Sequence, residues 1–317
     1  MTKIAYAFTL SAILVCSLQA APAHAAALRT FVSGFGNDSN TSTNCSHAQP
    51  CRTFAVAVTV TAPGGEIEAL DPAGYGPITI SGPLTLVGLP GAAVNVPSGG
   101  NGITISAGAT DAVHVQGLLI DGSGVGTTGI LFNSGKSLTV ENCILRNVVG
   151  GGLFFRSTAT TPQTLAVSNS YFDENGEGIQ ILTLSSGTIL ASIDRTGLYG
   201  NGDSGLFVTG SSGTGALTVA VTDTVAANNS TGFFVASSTG KSISNLSLTH
   251  VMAEGNSHVG VEAFGAMATL WLAQSTLTGN GASYIASSPA VLNTYGDNYI
   301  DTSNGPPIGS LTGANRQ

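Results

Sequence analysis

From Gly65 onward, apolar and polar residues alternate in short runs, each broken within a few positions by glycine, proline or asparagine. In the stretch GEIEALDPAGYGPITISGPLTLVG, 65–88, the pairs Ile67 and Ala69, Ile78 and Ile80, and Leu84 and Leu86 each stand two apart with a polar residue between them. That period is the signature of a strand whose side chains point alternately to two faces. No stretch from Gly65 to the end carries a convincing helical period, which argues against β-α-β crossovers and leucine-rich-repeat helices.

The runs recur. Glycines that open an apolar strand fall at Gly129, Gly152, Gly178, Gly205, Gly232 and Gly260, at intervals of 23, 26, 27, 27 and 28 residues. A second series agrees: LTVENCILRN, LAVSNSYFDEN, LASIDRTGLYGN, LTVAVTDTVAANN, LSLTHVMAEGN and LWLAQSTLTGN each start on a leucine and reach Asn147, Asn175, Asn201, Asn228, Asn256 and Asn280. A fixed period of this size marks a solenoid. Stacked asparagines suit a sharp turn, because Asn tolerates left-handed backbone and its amide can bond its equivalents in the coils above and below.

A single such strand cannot bury its apolar face, but a coil wound into three short sides can stack on the next at the roughly 4.8 Å strand spacing. The expected fold is therefore all-β, a single-stranded parallel β-helix over 65–302, with Leu, Ile, Val and Phe inside and Ser, Thr and Asn outside. Its open ends need caps. Residues 26–64 are expected to form the first cap, with a short helix in CRTFAVAVTVTA where Phe54, Val58 and Ala62 are helically spaced. Residues 303–317 are expected to be a tail, with Gly-Pro-Pro ending strand pairing.

Composition fits many short strands: 8% of residues are charged and 43 are glycine. Met1 to Ala25 reads as a signal peptide, with Lys3, an apolar run from Ile4 to Val15 and the small-x-small site Ala23-His24-Ala25. Val15 is a poor residue to precede an acylated Cys16. No later stretch is apolar for long enough to span a membrane. The mature chain is thus expected to be exported, to the periplasm, the cell surface or the medium. There Cys45 and Cys51 are expected to form a disulfide. The alternative, a metal held by this pair with His47, has no fourth ligand nearby. Cys143 is expected to be a buried thiol. The net charge of −8 and the absence of any lysine-arginine cluster argue against nucleic acid. A polyanion would also be repelled unless a cation bridged it. A monomer is expected.

The opening FVSGFGNDSN…CSHAQPCRTFAVAVTVTAPGGEIEALDPAGYGPITISGPLTLVG resembles that of secreted bacterial right-handed β-helix proteins of the pectate-lyase-like superfamily. In these a G-x-D-x-N loop and a P-C-x-T-F helix precede a first coil of G-x-I-x-V-x-x-G-x-Y type. The resemblance covers about the first 65 mature residues specifically and the later coils as a generic repeat. It implies export and right-handed winding. It transfers no catalytic residue: the Asp-Asp, Gly-His-Gly and Arg-x-Lys segments of the polygalacturonase-like enzymes do not occur here.

Candidate chemistry comes from the repeat. The polar position after each leucine-led strand holds Glu141, Asp194, Arg195, Asp223 and His250, expected to line one ridge that could hold a sugar or do acid-base work. The plain reading of the ridge is a solvated sheet border. A second candidate sets Arg146 against Asp173 and Glu174. Asn37, Asp38 and Asn40 concentrate oxygen ligands and could bind calcium, or simply form an Asx-rich turn. Asp71 is expected to form a turn, and Trp271 to pack in the core or on the outer face, with stacking on a sugar as the alternative. The expected function is binding of an extended polysaccharide along one long side. The alternatives are a polysaccharide lyase or glycoside hydrolase, and a ligand-free surface or matrix scaffold.

Overall fold

The computed structural model describes residues 26–287 and 289–314. The expected signal peptide, 1–25, lies outside the described residues. Among them, the strands form three parallel sheets, one of twelve strands and two of nine. One coil shows the unit: Gln163–Ser168 lies in the long sheet, Tyr171–Asp173 in the second and Glu177–Thr183 in the third, and the next coil begins at Ile189–Asp194.

Register holds from coil to coil, so inward residues pile into columns. Leu138, Leu165, Ala191, Val219, Leu246, Leu270 and Leu292 stand in one line of the long sheet and are all buried. Leu145, Phe172, Leu198, Ala226 and Ala253 form the line of the second sheet. In the third sheet Phe132 and Phe155 stack with centroids 4.1 Å apart. Each large side chain buried in this interior contributes about 1.5–3 kcal/mol.

Two of the three corners are tight, and each turns on a left-handed residue. The first corner, from the long to the second sheet, uses Asn142, Asn169, Arg195, Asp223, His250 and Gln274, with φ between 45° and 53°. The second uses Asn147, Glu174, Gly200, Asn228, Gly255 and Gly279, with φ between 53° and 66°. The third corner carries the longer Gly/Ser connections.

The asparagine ladder stands one residue after the second corner and corrects the expected set at two places. Its members are Asn175, Asn201, Asn229, Asn256 and Asn280, each buried, and each amide donates to the next side-chain oxygen at 3.1, 2.9, 3.1 and 2.8 Å. Asn228 is the left-handed corner residue beside Asn229, not a rung. Asn147 is likewise a corner residue; the rung position of its coil is Val148, whose N–H donates to Asn175 Oδ1 at 3.3 Å.

At the N-terminal end, Ala27–Val32 pairs with Thr61–Ala69 and so covers the edge of the long sheet. The helix is a single turn, Phe54–Ala57, capped by the Thr53 hydroxyl; it is shorter than the spacing predicts because the chain becomes strand at Thr61. Cys45 and Cys51 form the expected disulfide. Burial pushes the free Cys143 thiol up to about 11. Within 303–314 the chain returns to the solenoid: Thr312–Gly313 adds a strand to the long sheet.

Candidate functional site

The expected ridge is two adjacent rows. Glu141 and Asp194 end their strands in register with Ser168, Thr222 and Thr249, whereas Arg195, Asp223 and His250 occupy the left-handed corner position one residue later. The separation follows from the corner: the positive φ swings its side chain away from the preceding strand. Arg195 Nη1 lies 2.6 Å from Asp194 Oδ2, and its Nε donates to Asn169 Oδ1 at 2.9 Å. The Thr222 hydroxyl donates to Asp194 Oδ1 at 2.9 Å. His250 Nδ1 and Asp223 Oδ1 are 3.7 Å apart, and Glu141 lies 3.6 Å from the imidazole of His114.

Arg146 of the second candidate pairs elsewhere than expected. Its Nε donates to Asp121 Oδ2 at 2.9 Å, one coil towards the N-terminus, while Asp173 is its strand neighbour on the other side and Glu174 turns the second corner. Partial burial works to raise the Asp121 carboxyl, but the Ser123 N–H and the Arg146 guanidinium outweigh it and hold it below its ordinary value.

These two sets are the opposite margins of one face. Between the first-corner row and the row of Asp121, Arg146, Asp173 and Tyr199 runs a third outward row of the second sheet: Leu119, Ile144, Tyr171, Gly197, Val225, Met252, Thr276 and Tyr299. Ile144, Tyr171, Met252 and Tyr299 are exposed, Tyr171 at 50% and Tyr299 at 64%. Gly197 interrupts the row, and Tyr199 folds back over it from the same strand: a Cβ on Gly197 would meet the Tyr199 ring at 2.2 Å and the Tyr171 ring at 2.8 Å. The two rings have centroids 6.3 Å apart and planes 22° apart. Burial, then the nearby Tyr171 and Asp173, raise the Tyr199 phenol above its ordinary value. Sequence reading missed both tyrosines, and the available signal was the glycine at a position that is apolar in neighbouring coils.

The third sheet holds a second polar group that sequence reading missed. Glu177, only 8% exposed, accepts from the Gln180 amide at 2.9 Å, and Gln180 accepts from Arg156 Nε at 2.8 Å. The Arg156 guanidinium sits 3.8 Å over the Phe154 ring, which lies against Gly151, where a Cβ would clash. The other carboxyl oxygen of Glu177 is buried without a hydrogen-bond partner. Burial first, and then Asp203, push this carboxyl up to about 8 against the opposing pull of Arg156 and Gln180. The same burial that raises this carboxyl encloses it beneath its neighbours.

The oxygen-rich loop is engaged within the protein. Asp38 accepts from the N–H groups of Arg52 and Thr53 and from the Thr53 hydroxyl, at 2.8, 2.9 and 3.0 Å. Asn37 accepts from the Ser39 N–H, and Asn40 donates to the Pro50 carbonyl, both at 2.9 Å. These bonds tie the loop to the helix start, the work of an Asx-rich turn. Asp71 similarly accepts from the Ser33 hydroxyl and the Gly34 N–H. Trp271 packs on the outer side of the long sheet against Tyr295, with centroids 5.8 Å apart. Among the described residues no helix is long and apolar enough to cross a membrane.

Three parallel sheets closed by repeating corners define a parallel β-helix. The family described as "Right handed beta helix region" matches residues 101–282, more than half of the chain, and the chain belongs to that family. Its fold is similar to that in the crystal structure of pectate lyase Pel9A, at a TM-score of 0.60 and 17% identity over 90% of this chain and 77% of that one. An alginate lyase from Paenibacillus sp. str. FPU-7 is similar at a TM-score of 0.49 and 13% identity, over 90% of this chain and 99% of that one. The fold is thus that of pectate-lyase-like right-handed β-helices. A comparison with curated proteins returns no match.

Proposed function

We propose that this protein is exported and binds an extended polysaccharide along the face of the second sheet. The observation that carries the reading is the repetition of that face. A row mostly of apolar and aromatic side chains runs along the solenoid between two mostly polar rows, each stepping by one strand spacing, roughly 4.8 Å. A polymer of like units laid along the axis meets the same three-row layout at each step, filled by different side chains from coil to coil. The likeness in fold to a pectate lyase supports a polysaccharide as the partner class. The disulfide at Cys45 and Cys51 and the expected signal peptide support an oxidising compartment.

The side chains at the margins favour holding over cleaving. Arg195 is engaged with Asp194 and Asn169, and Arg146 with Asp121, so neither cation is poised as a free base. The test is gel retardation together with release of reducing or unsaturated ends across a glycan panel, with and without calcium. Retardation without product is expected, weakened in Asp194→Ala and Asp223→Ala. Product that disappears in those variants would make the protein a lyase or hydrolase, and neither signal would leave a scaffold.

A further inference from the structure

We propose that Tyr171 and Tyr199, folded together over Gly197, form an anchoring subsite for a neutral pyranose unit. The inference rests on the polysaccharide reading and names its sugar class and its anchor. Both rings lean into the space left by one missing side chain, so they are held by the strand rather than free to rotate into solvent. Two near-parallel rings with Tyr171 half exposed offer an apolar surface of the kind that packs against the C–H face of a sugar. Asp173 stands in register with Tyr199 on the adjacent strand, a carboxylate placed to accept from sugar hydroxyls.

Charge decides the class. Asp173 is the strand neighbour of Tyr199 and Glu174 turns the corner after it, and the arginines at the two margins of the face already pair with carboxylates, Arg195 at 2.6 Å from Asp194 and Arg146 at 2.9 Å from Asp121. Without a bridging cation, a uronate placed here would gain no unpaired positive group and would meet the Asp173 and Glu174 carboxylates. A neutral hydroxylated ring brings donors to those acceptors and an apolar face to the tyrosines.

The experiment is affinity electrophoresis of the mature chain in gels carrying hydroxyethylcellulose, xylan or galactomannan as neutral probes, and polygalacturonate or alginate as acidic ones. The expected result is retardation by at least one neutral polymer. Tyr171→Ala or Tyr199→Ala should weaken it by roughly tenfold and Tyr171→Phe should leave it nearly intact, because the ring face carries the contact. Thermal unfolding of each variant separates loss of the subsite from loss of fold. Retardation by acidic polymers alone, or neutral binding unchanged in a well-folded Tyr171→Ala/Tyr199→Ala double variant, would overturn this subsite while leaving polysaccharide binding standing. Retardation by none of the five would overturn both.

Discussion

Asn228 and Asn229 are the same residue type in adjacent positions with different work to do. Asn228 turns the corner at φ 57°, while Asn229 is buried and bonds the asparagines of the coils on either side. Removing the amide of Asn229 leaves buried backbone and side-chain groups without partners, at about 1–3 kcal/mol for each group so orphaned. Asn229→Ala should therefore lower the denaturation midpoint clearly. Asn228→Gly should be close to neutral, since glycine takes left-handed backbone without steric cost. Equilibrium unfolding of the two variants checks this, and equal losses would place the ladder at the wrong residue. The sequence offers both asparagines at this point of the repeat and cannot say which faces inward, because one residue of slip reverses every side chain. Tyr171 and Tyr199 were missed for a related reason: the glycine at 197 marks a gap in the repeat, but alternation does not encode which side chain fills it.

At the scale of the strand and its corner, alternation was the readable signal. It placed Leu138, Leu165 and their equivalents inside and assigned three short sides to each coil, as the register bears out. It failed at the corners. The row of Asp194 and the row of Arg195 were merged into one ridge because a left-handed residue redirects its side chain without leaving a mark in hydrophobicity. Glu177 escaped notice since its equivalents Ser204 and Thr231 are polar and buried as well, so a carboxyl there looked ordinary.

Its consequence is a pH dependence of fixed sign. The folded-state value is raised to about 8, so below the ordinary carboxylate range both the folded and the unfolded chain carry the proton and no penalty exists. As pH climbs from there to about 8, the unfolded chain releases the proton while the folded chain retains it, and this group's contribution to stability declines by an amount on the order of several kcal/mol. Glu177→Gln removes the decline. Denaturant unfolding at acidic and at mildly alkaline pH should show the variant gaining on the native protein as pH rises; parallel curves would mean that Glu177 ionises normally.

Over the whole molecule, the solenoid's ends are where pattern gives least guidance. The edge of the long sheet is covered by Ala27–Val32 at one end and by Thr312–Gly313 at the other, and neither short segment repeats. The interior, by contrast, was legible because each coil restates it. The same stacking lays the second sheet's face out as a continuous strip, with Trp271 and Tyr295 set apart on the long sheet. Binding along the strip is therefore separable by face. Hydroxyl-radical footprinting of the protein, with and without a neutral glycan that retards it, reads this directly through oxidation of individual aromatic and methionine side chains. Protection of Tyr171, Tyr199 and Met252 with Trp271 and Tyr295 unchanged is the predicted result; protection confined to Trp271 and Tyr295 would contradict it.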